Sequence, residues 1–294
     1  MAGGDEGGPR PRGLFVVGAP RSGTTLIGNY LGSSPEALNL GEFGGFHLAY
    51  NIAPSALGAM PGTFRDAYLD DLRTHAAWFA EGLAATEGRG WYCDATPFNL
   101  AAMGRIAADL PDAVFVVMLR HYAGCIQSLR RSFDSGFAWA GRTWADSAEV
   151  WAASYRSAFE LPPGRTVMVS YEAVTGRPRQ TLEGLRTTLA SMGYPTDALD
   201  LGELAVSHAP PSTGPRATIG IVEDGEVQLR PIPCFDPGRW SGDIHRQVWP
   251  VVQDVHRRLL EQYPTVYGSP AAPRRLWVHH DIQGLVEADL GDEW

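Results

Sequence analysis

The sequence predicts an α/β chain: a doubly wound, mostly parallel sheet flanked by helices, built as a single domain with insertions. Three observations carry this. Short runs that are apolar on every side, Val114 to Leu119 above all, suit parallel strands buried on both faces. Segments with apolar residues three and four apart lie between those runs. The first run stops at a glycine loop that opens directly into such a helical segment, the order of one strand–loop–helix unit.

In chain order, Leu14-Phe15-Val16-Val17-Gly18 is the first strand, and Ala19 to Gly23 form a tight loop. From Thr24 the repeat of Leu26, Ile27, Tyr30 and Leu31 marks a helix. A short strand is possible just before Glu42. Helices are expected over 66–83, 100–108, 122–133, 143–159 and 178–192, with strands at Val114 to Leu119 and Thr166 to Ser170. From Ser207 to Gly242 the pattern breaks into Pro and Gly, with one hairpin over 219–229 turning at Asp224-Gly225. A last helix covers about 244–262. The expected organisation is a disordered tail over 1–12, a domain over 13–268 with 207–242 as an insertion or lid, and a C-terminal tail over 269–294.

Composition excludes several classes. Twenty-four basic groups against 33 acidic ones leave a net charge of −9, which argues against a nucleic-acid binder tracking phosphates over a basic face. All the basic residues are arginine, so Schiff bases, lysine acids and a P-loop lysine are unavailable. Cys93, Cys125 and Cys234 are too far apart for a C-x-x-C pair or a zinc site, and read as free thiols in a reducing compartment. No stretch approaches 18 apolar residues, so no membrane span is expected and a cytoplasmic location is. His279-His280-Asp281 lacks further ligands, and no metal site is expected.

Gly18-Ala-Pro-Arg-Ser-Gly23-Thr24-Thr25 has the Gly-x4-Gly spacing of a P-loop, in which backbone N–H groups at a helix N-terminus converge on an anion. The Walker form places Lys after the second glycine. Here Thr24 stands there and Arg21 lies inside the loop, which disfavours kinase or nucleotidase chemistry but leaves an arginine and two hydroxyls as an anion cradle.

These residues, from Pro20 to Leu26 after a strand, resemble the 5′-phosphosulfate loop of sulfotransferases that use 3′-phosphoadenosine 5′-phosphosulfate (PAPS), of the bacterial and Golgi type. The resemblance requires a second site, an Arg ending a buried strand with a Ser eight residues on; Arg120 and Ser128 satisfy it. Tyr171-Glu172-Ala173-Val174 and the helix after Pro178 are similar to a later family segment, and Phe235 to Trp240 resemble the late G-R-W element. The resemblance spans roughly residues 14–265. It implies a P-loop-like α/β fold, PAPS as donor and no required metal. Arg21, Ser22, Gly23, Thr24 and Thr25 would hold the 5′-phosphate, Arg120 and Ser128 the 3′-phosphate, and Arg239 would close over the cofactor.

Sulfuryl transfer needs a base for the acceptor proton and cations on the developing charge. Glu42 is the first candidate for the base and His47 the second, with Arg21 as the catalytic cation. Asp94-Ala95-Thr96-Pro97 departs from the Lys-Thr/Ser-Pro of many relatives, with Ala95 where the lysine belongs. Either Arg21 covers that role, or the rate is low, or the chain is silent. Asp94 orients an acceptor hydroxyl or caps a helix. Trp139, Trp144, Trp151, Tyr155 and Phe159 fall near helical spacing and read as core. Arg130-Arg131 either reach the cofactor's phosphate or form a solvated helix face. The expected function is transfer of a sulfuryl group to a hydroxyl of a small molecule, sugar or lipid. The acceptor pocket would be lined by 43–64 and 207–242. A partly hydrophobic acceptor and a high-GC bacterial source with specialised metabolism fit the Trp- and Arg-rich composition. A P-loop kinase and a silent nucleotide-binding module are the rival readings.

Overall fold

The computed structural model describes residues 10–52, 57–58, 61–162, 164–199, 220–223, 226–229 and 240–267. Its centre is a five-stranded sheet in the order β2-β3-β1-β4-β5, with every pairing parallel. The strands are β1 (Arg12–Gly18), β2 (Ala37–Gly41), β3 (Trp91–Asp94), β4 (Val114–Leu119) and β5 (Thr166–Ser170). Around it run α1 (Thr24–Gly32), α2 (Gly45–Asn51), α3 (Gly62–Thr86), α4 (Met103–Asp109), α5 (Tyr122–Asp134), α6 (Trp144–Arg156), α7 (Tyr171–Gly176), α8 (Pro178–Ser191) and α9 (Gly242–Gln262). A separate antiparallel pair, β6 (Gly220–Glu223) and β7 (Glu226–Leu229), forms the expected hairpin; its turn residues lie outside the described set.

The all-apolar runs are buried because both faces of the sheet are covered. Along β1, Phe15 and Val17 face one way and Leu14 and Val16 the other; along β4, Phe115, Val117 and Leu119 oppose Val114, Val116 and Met118. The first set packs under α2 to α6 and α9, with Val248, Val252 and Leu259 of α9 joining Trp151 and Tyr155 of α6. The second packs under α1 and α8 through Leu26, Ile27, Tyr30, Leu182, Leu185 and Leu189. Trp151 and Tyr155 are thus core, as their spacing predicts, but Trp139 is 43% exposed and leaves that set.

Register places the site. Gly18 of β1 pairs with Met118 of β4, and Leu119 of β4 with Ser170 of β5. The chain therefore leaves all three strands at one level, and the loops beginning at residues 19, 120 and 171 meet at one edge. From β1 the chain runs out to β2 on one side, and from β4 to β5 on the other. Adjacent strands whose connections diverge open a crevice at their carboxyl ends, where parallel α/β sheets hold ligands.

Helix α1 lies close on the sheet at one point. A Cβ on Gly28 would stand 2.3 Å from the Cβ of Ala95, and the Cys93 thiol donates to the Gly28 carbonyl at 3.6 Å. Gly28→Ala is expected to destabilise the chain by about 1–3 kcal/mol in urea unfolding, because neither backbone can move without opening the core. The double variant Gly28→Ala/Ala95→Gly restores most of the loss. An unchanged midpoint for the single variant would refute the close approach.

Candidate active site

The loop after β1 takes its shape from two left-handed residues. Arg21 has φ 72°, the one positive φ outside glycine among the described residues, and Gly23 has φ 98°. Side chains resist that region, and at Gly23 a Cβ would also meet the Tyr171 ring at 2.6 Å. The Ser22 amide donates to the Ala19 carbonyl at 3.0 Å, closing the turn. Gly23 then starts α1 with no side-chain cap and no acidic residue in the first turn. The first amides of α1 are left for an anion, at the positive end of its dipole.

The loop after β4 is fixed from beneath. The Arg120 amide donates to the Tyr155 hydroxyl oxygen at 3.1 Å, that hydroxyl donates to the Met118 carbonyl at 2.8 Å, and the Trp151 indole donates to the Arg120 carbonyl at 3.1 Å. The His121 amide donates to a Glu172 carboxylate oxygen at 3.0 Å, and His121 Nδ1 accepts from the Ala123 amide at 3.3 Å to cap α5. Burial raises the Glu172 pKa; the Arg120 charge and the His121 amide pull the other way.

The two loops are joined. Arg120 Nη1 donates to the Arg21 carbonyl at 2.6 Å, while Arg21 Nε donates to Ser128 Oγ at 3.2 Å. The Arg120 guanidinium lies over the Tyr171 ring, 4.1 Å from its centroid. Cys125 Sγ donates to the Pro20 carbonyl at 3.2 Å, and burial pushes this thiol up to about 12, so it is a packing group.

A cavity of about 330 Å³ opens above these groups. Its lining combines Arg21, Gly23, Thr24, Thr25, Arg120 and Ser132 with Glu42, Pro97, Phe98, Phe137, Trp139 and Tyr171. Glu42 arrives from the end of β2, where the Ala95 amide donates to the Gly41 carbonyl at 2.7 Å. The Thr25 hydroxyl donates to Glu42 Oε1 at 3.0 Å and aims the carboxylate.

Sequence-derived candidates separate here. Arg21, Gly23, Thr24, Thr25, Glu42 and Arg120 share the cavity, and Ser128 reaches it through Arg21. Ser22 is buried, its Oγ close against Gly18 beneath the loop, so its hydroxyl points away from the cavity. His47 lies behind the wall on α2: its Nδ1 is 2.9 Å from the Asn51 amide nitrogen and its ring 5.2 Å from Phe98. Burial lowers its pKa. Arg239 and Cys234 lie outside the described residues, as does His279-His280-Asp281. Arg130 is tied to the Gly141 carbonyl at 2.5 Å and to Asp134 at 3.6 Å rather than to the cavity. Phe43, expected to line an acceptor pocket, instead stacks on Phe79 and packs on the core.

Ala95 is buried against Gly28, so the position that the resemblance assigns to a lysine faces α1. Asp94 is buried as well. Its Oδ1 accepts from the Thr96 amide at 2.7 Å, which holds the turn that carries Pro97 and Phe98. Tyr171 was not among the candidate site residues; its signal is its position directly after a buried parallel strand.

A parallel α/β sheet with a glycine loop that opens into an uncapped helix at its switch point is the class that fold and site define. The sequence profile of the sulfotransferase family matches residues 11–192, more than half of the chain, and the chain belongs to that family. An uncharacterised protein of Aquifex aeolicus is 26% identical over 198 residues, 61% of this chain; the chain spans about a quarter (26%) of that relative's length. The sulfotransferase domain from the curacin biosynthetic pathway is 19% identical with a TM-score of 0.46, over 75% of this chain and 84% of that one. A sulfotransferase from Alicyclobacillus acidocaldarius is 16% identical with a TM-score of 0.48, over 87% and 96%. No helix among the described residues is long and apolar enough to cross a membrane, and none of their His, Cys, Asp and Glu groups forms a metal-binding cluster.

Desolvation pushes the Asp94 carboxyl up to about 6 from 3.8, opposed by hydrogen bonds from Thr96 and Asn99. A folded pKa above the unfolded one favours the folded state fully below about pH 3.8, and that advantage is lost as pH rises through about 6. Asp94→Asn keeps an acceptor for the Thr96 amide without the buried charge. Its stability relative to wild type is expected to rise by up to about 3 kcal/mol between pH 4 and pH 7.5 in urea unfolding. A difference that stays flat over that range would rule this out. Tyr155→Phe should cost about 1–3 kcal/mol, since it strands the Arg120 amide and the Met118 carbonyl.

Proposed function

We propose that this chain transfers a sulfuryl group from PAPS to a hydroxyl of a small-molecule acceptor. The observation that carries the reading is the bonded pairing of the two arginines across the switch point, Arg120 on the Arg21 carbonyl and Arg21 on Ser128. The donor set fits a bisphosphorylated nucleotide: two guanidinium groups, the hydroxyl of Thr24, and the uncapped amides of α1. Arg21 and the amides of α1 would take the 5′-phosphate; Arg120 and Ser128 would take the 3′-phosphate. When bound, the donor supplies the sulfuryl group and leaves as adenosine 3′,5′-bisphosphate.

Glu42 is the one carboxylate on the cavity among the described residues. With Oε1 accepting from Thr25, Oε2 is left to take the acceptor's proton. The acceptor oxygen then bonds to sulfur as the bond from sulfur to the phosphate oxygen breaks. The electron pair goes with that oxygen and the proton stays on Glu42. Arg21 stabilises the charge that develops on the departing phosphate.

Isothermal titration of adenosine 3′,5′-bisphosphate beside 5′-AMP and Mg-ATP is the test. The bisphosphate should bind far better than 5′-AMP, and Arg120→Ala should erase that gap at a cost of ~1.5–3 kcal/mol, tenfold or more in Kd. Best binding by Mg-ATP would instead favour a kinase. Glu42→Gln should bind the bisphosphate as wild type does and lose turnover by about 10²–10⁴-fold. Normal binding with no turnover in wild type on any acceptor would identify a silent nucleotide-binding module.

A further inference from the structure

The cavity has an aromatic side that the phosphate contacts do not use. Phe137 and Trp139 are 53% and 43% exposed, although large apolar rings at such a junction would ordinarily be covered. Their rings are 5.9 Å apart, and Trp139 meets Phe98 edge-to-face at 5.9 Å. Through Trp139 the three rings make one aromatic wall in the cavity that Glu42 also lines.

The wall is held rigidly. The Phe137 amide donates to the Ser132 carbonyl at 3.1 Å, and the Ala140 amide to the Phe137 carbonyl at 3.0 Å. Ala140 is buried, with its carbonyl accepting from Ser147 at 2.8 Å. Gly141, at φ 95°, takes the Arg130 guanidinium on its own carbonyl and lies so close to Ser147 that a Cβ would meet that amide nitrogen at 2.4 Å. Exposed rings on a backbone fixed at both ends are a preorganised surface.

We propose that the acceptor is a planar aromatic alcohol, seated against Phe98, Phe137 and Trp139 with its hydroxyl at Glu42. This rests on the sulfuryl-transfer reading above. A sugar would bring several hydroxyls, each losing water and needing a partner. Of the polar side chains lining the cavity, Glu42 and Thr25 are already bonded to each other, Ser132 donates to the Ser128 carbonyl and the two arginines go to the phosphates, while His47 is paired with Asn51 outside it. A flat ring needs only the wall, by stacking or edge-to-face contact. Its chemistry also suits the base: a phenolic hydroxyl, with a pKa near ~10, yields its proton to a carboxylate more readily than an aliphatic alcohol does.

The test compares 2-naphthol, glucose and 1-octanol as acceptors at saturating PAPS, in wild type, Trp139→Ala and Trp139→Phe, with bisphosphate titration of each protein. Wild type should sulfate 2-naphthol with kcat/KM at least tenfold above either other acceptor. Trp139→Ala should raise KM for 2-naphthol tenfold or more with a smaller change in kcat, Trp139→Phe should recover most of it, and bisphosphate Kd should stay within twofold throughout. Glucose or octanol as the better substrate, or an unchanged KM in Trp139→Ala, overturns the proposal while bisphosphate binding leaves the transfer reading standing. A wild-type protein that fails to bind the bisphosphate overturns both.

Discussion

The site depends on one buried cation. Arg120 is only 5% exposed, and a guanidinium that leaves water needs its charge and donors met. The fold meets them from three directions: the Arg21 carbonyl, the Tyr171 ring and the field of Glu172. The first follows β1 and the other two follow β5, so Arg120, itself at the end of β4, joins the three strands only while their register holds. Sheet register and loop geometry are thereby one constraint. A slip of β5 by one residue would turn each of its side chains to the other face and carry the Tyr171 ring, next in the chain, away from the arginine.

What the sequence discloses follows the strength of local patterns. β1, β4 and β5 are legible because burial on both faces requires unbroken apolar runs, and α5, α6, α8 and α9 because one face of each repeats at helical spacing. β3 escapes such reading: it is four residues long, Trp91-Tyr92-Cys93-Asp94, and ends on a carboxylate, although it sits between β2 and β1 with all four residues buried. Helix α2 escapes too, since Gly44 and Gly45 at its start look like loop. At the site, the resemblance singles out Arg21, Arg120 and Ser128 for a phosphate role but says nothing of side-chain direction. Ser22 turns under the loop, Ala95 turns to α1 and His47 sits behind Phe98, all settled by packing between segments far apart in sequence.

The absence of lysine bears on the chemistry through Gly28 and Ala95. A long cation at position 95 would have to leave through the α1–sheet contact, where even one methyl on Gly28 has no room. Alanine stands there instead, and the cations on the cavity are two arginines, Arg21 and Arg120. A guanidinium stays protonated at neutral pH, so under the proposed reaction neither can hand a proton to the departing phosphate. Their contribution is electrostatic, which suits a leaving group that needs its charge stabilised more than it needs a proton.

Helix α5 sets the relation between the two sides of the cavity. Its first turn follows Arg120 directly and is capped by His121, Ser128 and Ser132 lie one turn apart, and its last turn fixes Phe137 through the Ser132 carbonyl. Ser128, proposed for the 3′-phosphate, and Phe137, at the start of the aromatic segment, are thus mounted on one rod. With about 3.6 residues per turn, inserting or deleting a single residue between Ser128 and the end of α5 would rotate Phe137 and Trp139 by about 100° about the helix axis relative to Ser128. Chemistry that must hold a phosphate and an acceptor oxygen at one sulfur gains from such a mount, because the distance between the two subsites is then set by helix geometry.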